Sequence, residues 1–244
     1  MADVGPGTFG YLCGLARREE LPGPVLTPIL TGLGLSPAGV RTYLSRMVRA
    51  GDLSSRRAGR YSVYSMVGNY LAEFRHLGSP RAFQWDGAFH TVIFDIGEDR
   101  RTERDALLRA AQASGFRQLR PGVLVGAHAP GEWAQKTFVG TWSVDTDTAR
   151  DVIATAWDLE ESAARISALG DVPPLPTDDV GVVVETTRRH SAVFEALRHT
   201  PPFPAELLPA GFPSEMLESR LRMDVTPAYR AMARLLESLS LIHI

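Results

Sequence analysis

The stretch from Leu26 to Met66, LTPILTGLGLSPAGVRTYLSRMVRAGDLSSRRAGRYSVYSM, constrains the fold more than any other part of this 244-residue chain. Ser36 is a natural N-cap, and Pro37 stands at the first helical position, where its missing N–H removes no bond. The spacing predicts a helix from there to about Ala50, stopped by Gly51. Val40, Leu44, Met47 and Val48 recur at intervals of three and four and mark the core side. Arg41, Thr42, Ser45, Arg46 and Arg49 fall on the other side, which holds three arginines and no acid. Leu53 to Met66 then carries RRAGR at its centre, between two alternating runs, and reads as a hairpin with a basic, glycine-containing tip. A basic helix followed by a basic hairpin has the form of a winged helix-turn-helix: a helix for the major groove and a wing for the phosphates.

The rest of this first unit follows from shorter signals. Thr8 to Arg18 reads as a helix with Phe9, Leu12 and Leu15 on one face. LPGPVLTPILTGL keeps Val25, Ile29, Leu30 and Leu33 at helical spacing despite its prolines, and Thr27-Pro28 offers a second start signal. A short helix, Asn69 to His76, leads to Gly78-Ser79-Pro80, expected to be a linker. Up to residue 78 there are nine arginines against five acids, a net charge of +4, so the remainder carries −6. A basic end on an acidic body suits a protein that meets nucleic acid on one face only. Cys13 is the single cysteine, so no intramolecular disulfide is possible, and its apolar surroundings make it a core residue. MADVGPG has neither the basic start nor the apolar run of a signal peptide, and no apolar stretch approaches membrane-spanning length, so the expected location is the cytoplasm.

A second unit is expected over residues 79–150. HTVIFDI (His90–Ile96), GVLVGAH (Gly122–His128) and TFVGTWSV (Thr137–Val144) read as strands, and Glu98 to Gly115 as an amphipathic helix with Leu107, Leu108 and Ala111 inward. That order suggests a small α+β sandwich of ferredoxin-like type. A third, mainly helical unit is expected over residues 151–238. Within it VGVVVETT (Val180–Thr187) fits either a buried strand or a helix running on through RRHSAVFEALRHT, and PPFPAELLPAGFP an ordered extended segment wrapping a surface. Ser214 to Leu236 reads as helical, broken at Thr226-Pro227. The last six residues, LSLIHI, match a translated mosaic end of transposon-based sequencing libraries. They are expected to be a non-native tail at 239–244, on a C-terminal unit that natively runs further.

These segments together resemble the PaaX family, the phenylacetic-acid-degradation transcriptional repressors. The resemblance is carried by Gly34-Leu35-Ser36 through Gly51, the wing Arg56-Arg57-Ala58-Gly59-Arg60-Tyr61, Trp85-Asp86-Gly87, Leu119-Arg120-Pro121-Gly122-Val123-Leu124-Val125, and Trp157-Asp158-Leu159. The most specific match is Pro204-Ala205-Glu206-Leu207-Leu208-Pro209-Ala210-Gly211-Phe212-Pro213. The chain departs from the family pattern in its proline-rich N-terminal helices and in the light Asp52-Leu53-Ser54-Ser55 entry to the wing.

The resemblance implies a winged helix, a central ferredoxin-like domain and a C-terminal helical domain. It also implies a homodimer on a double-stranded DNA operator, released by an aromatic acyl-CoA effector such as phenylacetyl-CoA, with no cofactor. Arg41, Thr42, Ser45 and Arg46 are the candidates for base edges or nearby phosphates. Arg49, Arg56, Arg57 and Arg60 are the candidates for phosphates. Arg117, Arg120, Lys136, Arg188 and Arg189 are the basic residues available to CoA phosphates, in a pocket expected between the central and C-terminal units. The middle fold also resembles the CRISPR spacer-acquisition nucleases, and Asp95, Glu98 and Asp99 are the acids a metal-dependent nuclease would use there. Acids at a strand end and helix start are favoured by the helix dipole, and that is the preferred reading of these three. The chain has no P-loop, GxGxxG, GxSxG or HExxH motif, and no enzymatic activity is expected. The other alternative is an adaptor whose winged helix docks protein.

Overall fold

The computed structural model describes residues 4–68, 71 and 85–241. Apart from Leu71, the expected helix at Asn69–His76 lies outside them, as do the Gly78-Ser79-Pro80 linker and the last three residues of the tail. The chain is mixed α and β, with a winged helix near its start, a central sheet and C-terminal helices. Packing groups the residues into two compact units, each built from separate stretches of chain. One holds residues 1–81, 170–194 and 219–244, the other 82–169 and 195–218.

In the first unit α1 (Pro6–Ala16), α2 (Gly23–Gly32) and α3 (Pro37–Ala50) precede the wing strands β2 (Leu53–Ala58) and β3 (Tyr61–Met66). A three-residue strand, β1 (Glu20–Pro22), lies beside β3, giving the sheet order β1-β3-β2 with antiparallel neighbours. Helix α2 begins at Gly23, four residues before the Thr27-Pro28 signal. Thr27 is therefore interior, and its hydroxyl donates to the Gly23 carbonyl at 2.9 Å. Pro24 and Gly23 serve the start, and Pro28 is carried inside the helix.

The core of this unit joins Phe9, Leu12, Cys13, Leu26, Ile29, Leu30, Val40, Leu44 and Met47 to residues far along the chain. Val182, Val183 and Val184 enter it from α7 (Asp179–His199), and Ala228, Ala231 and Met232 from α9 (Thr226–Leu241). The Val180–Thr187 stretch is thus helical, begun by Asp178, whose carboxylate accepts from the Gly181 N–H at 2.8 Å. Arg188 of α7 donates to the Gly32 carbonyl at the end of α2, and Arg234 of α9 pairs with Asp179. Cys13 is fully buried, and burial pushes its thiol up to about 12.

The second unit is an antiparallel four-stranded sheet of β4 (Ala88–Ile93), β5 (Arg117–Arg120), β6 (Val123–Gly126) and β7 (Phe138–Ser143), in the order β5-β6-β4-β7. With α4 (Arg101–Ala113) joining the first two strands, this is the ferredoxin-like order. The second crossing is reduced to a single turn, Glu132–Ala134. Strand β5, absent from the sequence expectation, is short and its register slips between Gln118 and Arg120. Each sheet face has its own core. Val92, Phe94 and Leu124 meet Ala111 of α4 on one face. Phe89 and Val125 meet Val152 and Ile153 of α5 (Thr146–Ala156), with Trp157 and Phe203, on the other. The proline-rich segment is ordered: Phe203, Leu207 and Leu208 are buried, and the Arg150 guanidinium forks onto the Glu206 carbonyl at 3.0 and 3.1 Å. Two further helices, α6 (Leu159–Ser167) and α8 (Ser214–Leu221), complete the chain.

Candidate nucleic-acid interface

Helix α3 is built by local chemistry at both ends. The Gly39 N–H donates to the Ser36 hydroxyl at 3.0 Å. At the other end Gly51 takes φ +80, and the Asp52 and Gly51 N–H groups reach back to the Met47 and Val48 carbonyls at 3.1 and 3.2 Å. Val40, Tyr43, Leu44 and Met47 are buried. The Tyr43 hydroxyl donates to the Gly5 carbonyl at 2.9 Å, so the tyrosine packs inward. The register this fixes turns Arg41, Thr42, Ser45, Arg46 and Arg49 to solvent, all five exposed. Thr42 donates back to the Ala38 carbonyl at 3.1 Å, and Arg49 lies 3.5 Å from the Ser45 hydroxyl.

The wing is a two-residue hairpin. Ala58 pairs with Tyr61, and Gly59, at the first turn position, takes φ +58, a conformation open to glycine at little cost. Arg57 and Arg60 are exposed, as are Arg41 and Arg46 on α3, and among the described residues none of the four makes an ion pair. Arg56 differs. Its guanidinium lies 2.8 Å from the Glu20 carboxylate, which also accepts from the Ser65 hydroxyl at 3.2 Å. β1 delivers this acid to the base of the wing, because Glu20 pairs with Ser65 across β3. No local pattern announces it: ELP is too short to show strand alternation, and its partner lies beyond α2 and α3.

The residues considered for other chemistry are placed as follows. Glu98 is held 2.7 Å from Arg104, which keeps its carboxyl below the usual range. Asp95 and Asp99 are exposed, and among the described residues no three His, Cys, Asp or Glu side chains converge on a point that could hold a metal ion. Arg117 spends its donors on the Phe116, Gln112 and Arg198 carbonyls, and burial lowers its pKa. Arg120 donates to the Leu119 carbonyl at 3.0 Å. Arg189 pairs with Glu185 at 2.8 Å, and Lys136 is exposed. Arg117, Arg120 and Lys136 belong to the second unit, Arg188 and Arg189 to the first. Among the described residues no helix is long and apolar enough to cross a membrane.

Two family profiles match. The PaaX-like protein profile covers residues 16–69, and the profile of the PaaX central Cas2-like domain covers residues 82–152. Together they span just over half of the chain, including the helix-and-wing surface and the whole four-stranded sheet. The fold is similar to that of the uncharacterized protein Rv0674 from Mycobacterium tuberculosis, with a TM-score of 0.61 and 25% identity over 95% of this chain and 96% of that one. No functionally curated protein matches. A winged helix beside a Cas2-like sheet, each matched in chain order by its own PaaX profile, places this chain in the PaaX family of transcriptional regulators.

Proposed function

We propose that the chain is a sequence-specific DNA-binding repressor of an aromatic-acid catabolic pathway, acting in the cytoplasm as a homodimer. The observation that carries this reading is the set Arg41, Arg46, Arg57 and Arg60: exposed and without an ion pair among the described residues, on the outward face of one helix and the tip of the adjoining wing. A helix (Pro37–Ala50) and a hairpin (Leu53–Met66) that themselves hold no acid, in a chain of net charge −2, favour a polyanionic partner. Arg41 and Arg46, with Thr42 and Ser45, lie on the face of α3 that enters a major groove. Arginine there discriminates guanine by about 1–3 kcal/mol through paired bonds to O6 and N7. Arg49, Arg57 and Arg60 hold phosphates and set the register. Two such heads read a palindrome with half-sites about one helical turn apart. An aromatic acyl-CoA such as phenylacetyl-CoA releases the operator, by binding more tightly to the DNA-free arrangement. PaaX membership supports the regulator class.

The test is fluorescence anisotropy of the full chain with a labelled duplex from its own upstream region. The expected result is salt-dependent binding that tightens at low salt, survives competition from an unrelated duplex, and is reversed by phenylacetyl-CoA and not by free CoA. No binding at 50 mM salt would overturn the reading and favour a protein-docking adaptor.

A further inference from the structure

The outward side of α3 is not uniformly polar. Val40, Tyr43, Leu44 and Met47 are buried. At about 100° per residue, the line facing away from them runs through Ala38, Thr42 and Ser45, with Arg41 on one flank and Arg46 on the other. All five are exposed. The arginines are long enough to reach base edges from the sides. The residues between them stand nearest to whatever this face lies against.

Thr42 is less polar on that line than its hydroxyl implies. The hydroxyl donates to the Ala38 carbonyl at 3.1 Å. It has one proton, so none remains for the acceptors that guanine, adenine and thymine display in the major groove. The same bond selects the χ1 rotamer of a branched side chain, which holds the γ-methyl group in one place. Ala38 stands one turn earlier on the same face, where Cβ atoms are about 5–6 Å apart. A further methyl group fits between the two, touching both at about 4 Å. Ser45 has no methyl group, so this apolar spot is confined to the first half of α3, the half that a recognition helix turns to base edges.

We infer that Thr42, with Ala38 beside it, reads the 5-methyl group of a thymine in the major groove. This rests on the DNA reading above and names a base for it. Among the four bases only thymine carries a methyl group there, and apolar contact from alanine or a threonine methyl is a way to recognise it. Arg41 and Arg46 discriminate guanine through hydrogen bonds, whereas Thr42 discriminates thymine from cytosine through the one group that cytosine lacks at that edge. The threonine hydroxyl serves the reading indirectly, by fixing which way the methyl group points.

Deoxyuridine isolates the contact, because it differs from thymidine only in lacking the 5-methyl group and pairs in the same way. Labelled duplexes from the chain's own upstream region, with each thymine of the bound site replaced in turn, are titrated with the full chain and followed by fluorescence anisotropy. One thymine in each half-site is expected to weaken wild-type binding about fourfold when replaced, the share of a single buried methyl group, and about fifteenfold when both are replaced. Thr42→Ser keeps the hydroxyl and its bond to the Ala38 carbonyl and removes only the methyl group. It is expected to bind the thymine duplex about fifteenfold more weakly than wild type and to be indifferent to deoxyuridine at those two places. Thr42→Val keeps the methyl group and removes the hydroxyl. It is expected to bind within about twofold of wild type and to keep the full response to deoxyuridine. Thr42 is exposed, and circular dichroism checks that both variants retain the helix.

Wild-type binding that tolerates deoxyuridine at every thymine overturns the inference and leaves the DNA reading standing. So does a Thr42→Val loss as large as that of Thr42→Ser, which would make the hydroxyl the reader, or a Thr42→Ser protein that keeps the wild-type response to deoxyuridine. A chain that binds no duplex at 50 mM salt overturns both, and is told apart by the absence of any binding to compare.

Discussion

Removing Arg57 and Arg60 together isolates what the wing contributes. Both are exposed and free of ion pairs among the described residues, so each is available to neutralise one phosphate. Each phosphate neutralised contributes about 0.9 to the slope of log K against log salt. Two arginines in each of two protomers make the Arg57→Ala/Arg60→Ala variant flatter than wild type by about 3.6. Over a fourfold rise in salt, from 50 to 200 mM, the wild-type protein should then lose about 150-fold more affinity than the variant. Arg56 supplies the contrast. Its guanidinium is held by Glu20 at 2.8 Å, so Arg56→Ala should flatten the slope by less than 0.9 per protomer. Glu20→Gln, which frees Arg56, should steepen it by up to about 0.9 per protomer. Anisotropy titrations of the upstream duplex at four salt concentrations measure all three slopes. An unchanged slope in the double variant would refute the wing as a phosphate contact. An Arg56→Ala effect equal to that of Arg57→Ala would refute the restraining role of Glu20.

Three further outcomes concern stability. Ser36→Ala removes the acceptor for the Gly39 N–H and should cost about 1 kcal/mol in urea unfolding, whereas Ser36→Asp should restore it. Gly32→Ala would set a methyl group 2.6 Å from Val184 Cγ2. The branched valine cannot swing aside freely, so a loss of about 1–3 kcal/mol is expected, despite the better helix propensity of alanine. His190 is stacked on Tyr11 at 3.7 Å, and burial lowers its pKa to about 4 from 6.5. The unfolded chain therefore binds the extra proton first. Its stabilising contribution is complete above pH 6.5 and is lost as pH falls from 6.5 toward 4. The urea midpoint should drop between pH 7.5 and 5, and His190→Phe should shrink that drop.

What was legible in the sequence was what is decided locally. Ser36, Pro37 and Gly51 delimit α3 because caps are made by neighbours in sequence, and the Ala58–Tyr61 turn announces itself through Gly59. Val180–Thr187 stayed open between strand and helix because a segment buried on several sides loses the periodicity that separates the two. Asp178, three residues before Gly181, was the cap signal that resolves it. β1 and β5 were missed for a common reason. One has three residues and the other a register slip, and both exist because a distant strand offers them hydrogen bonds. At the candidate interface the arginines were visible as a set, since their exposure follows from helical register. The difference between Arg56 and Arg57 was not, because it depends on an acid that only the folded sheet brings near.

The shared core of α1, α2 and α3 with Val182–Val184, Ala231 and Met232 has a consequence in time. A ribosome that has just released Met66 has made every residue proposed to touch DNA, but the apolar surfaces of α1 and α2 still lack their cover. At about 5–20 residues per second, between about eight and thirty seconds pass before Met232 is made. For that interval the core of the nascent winged helix stays incomplete. A new copy completes the core beneath its helix and wing only once Met232 has been made.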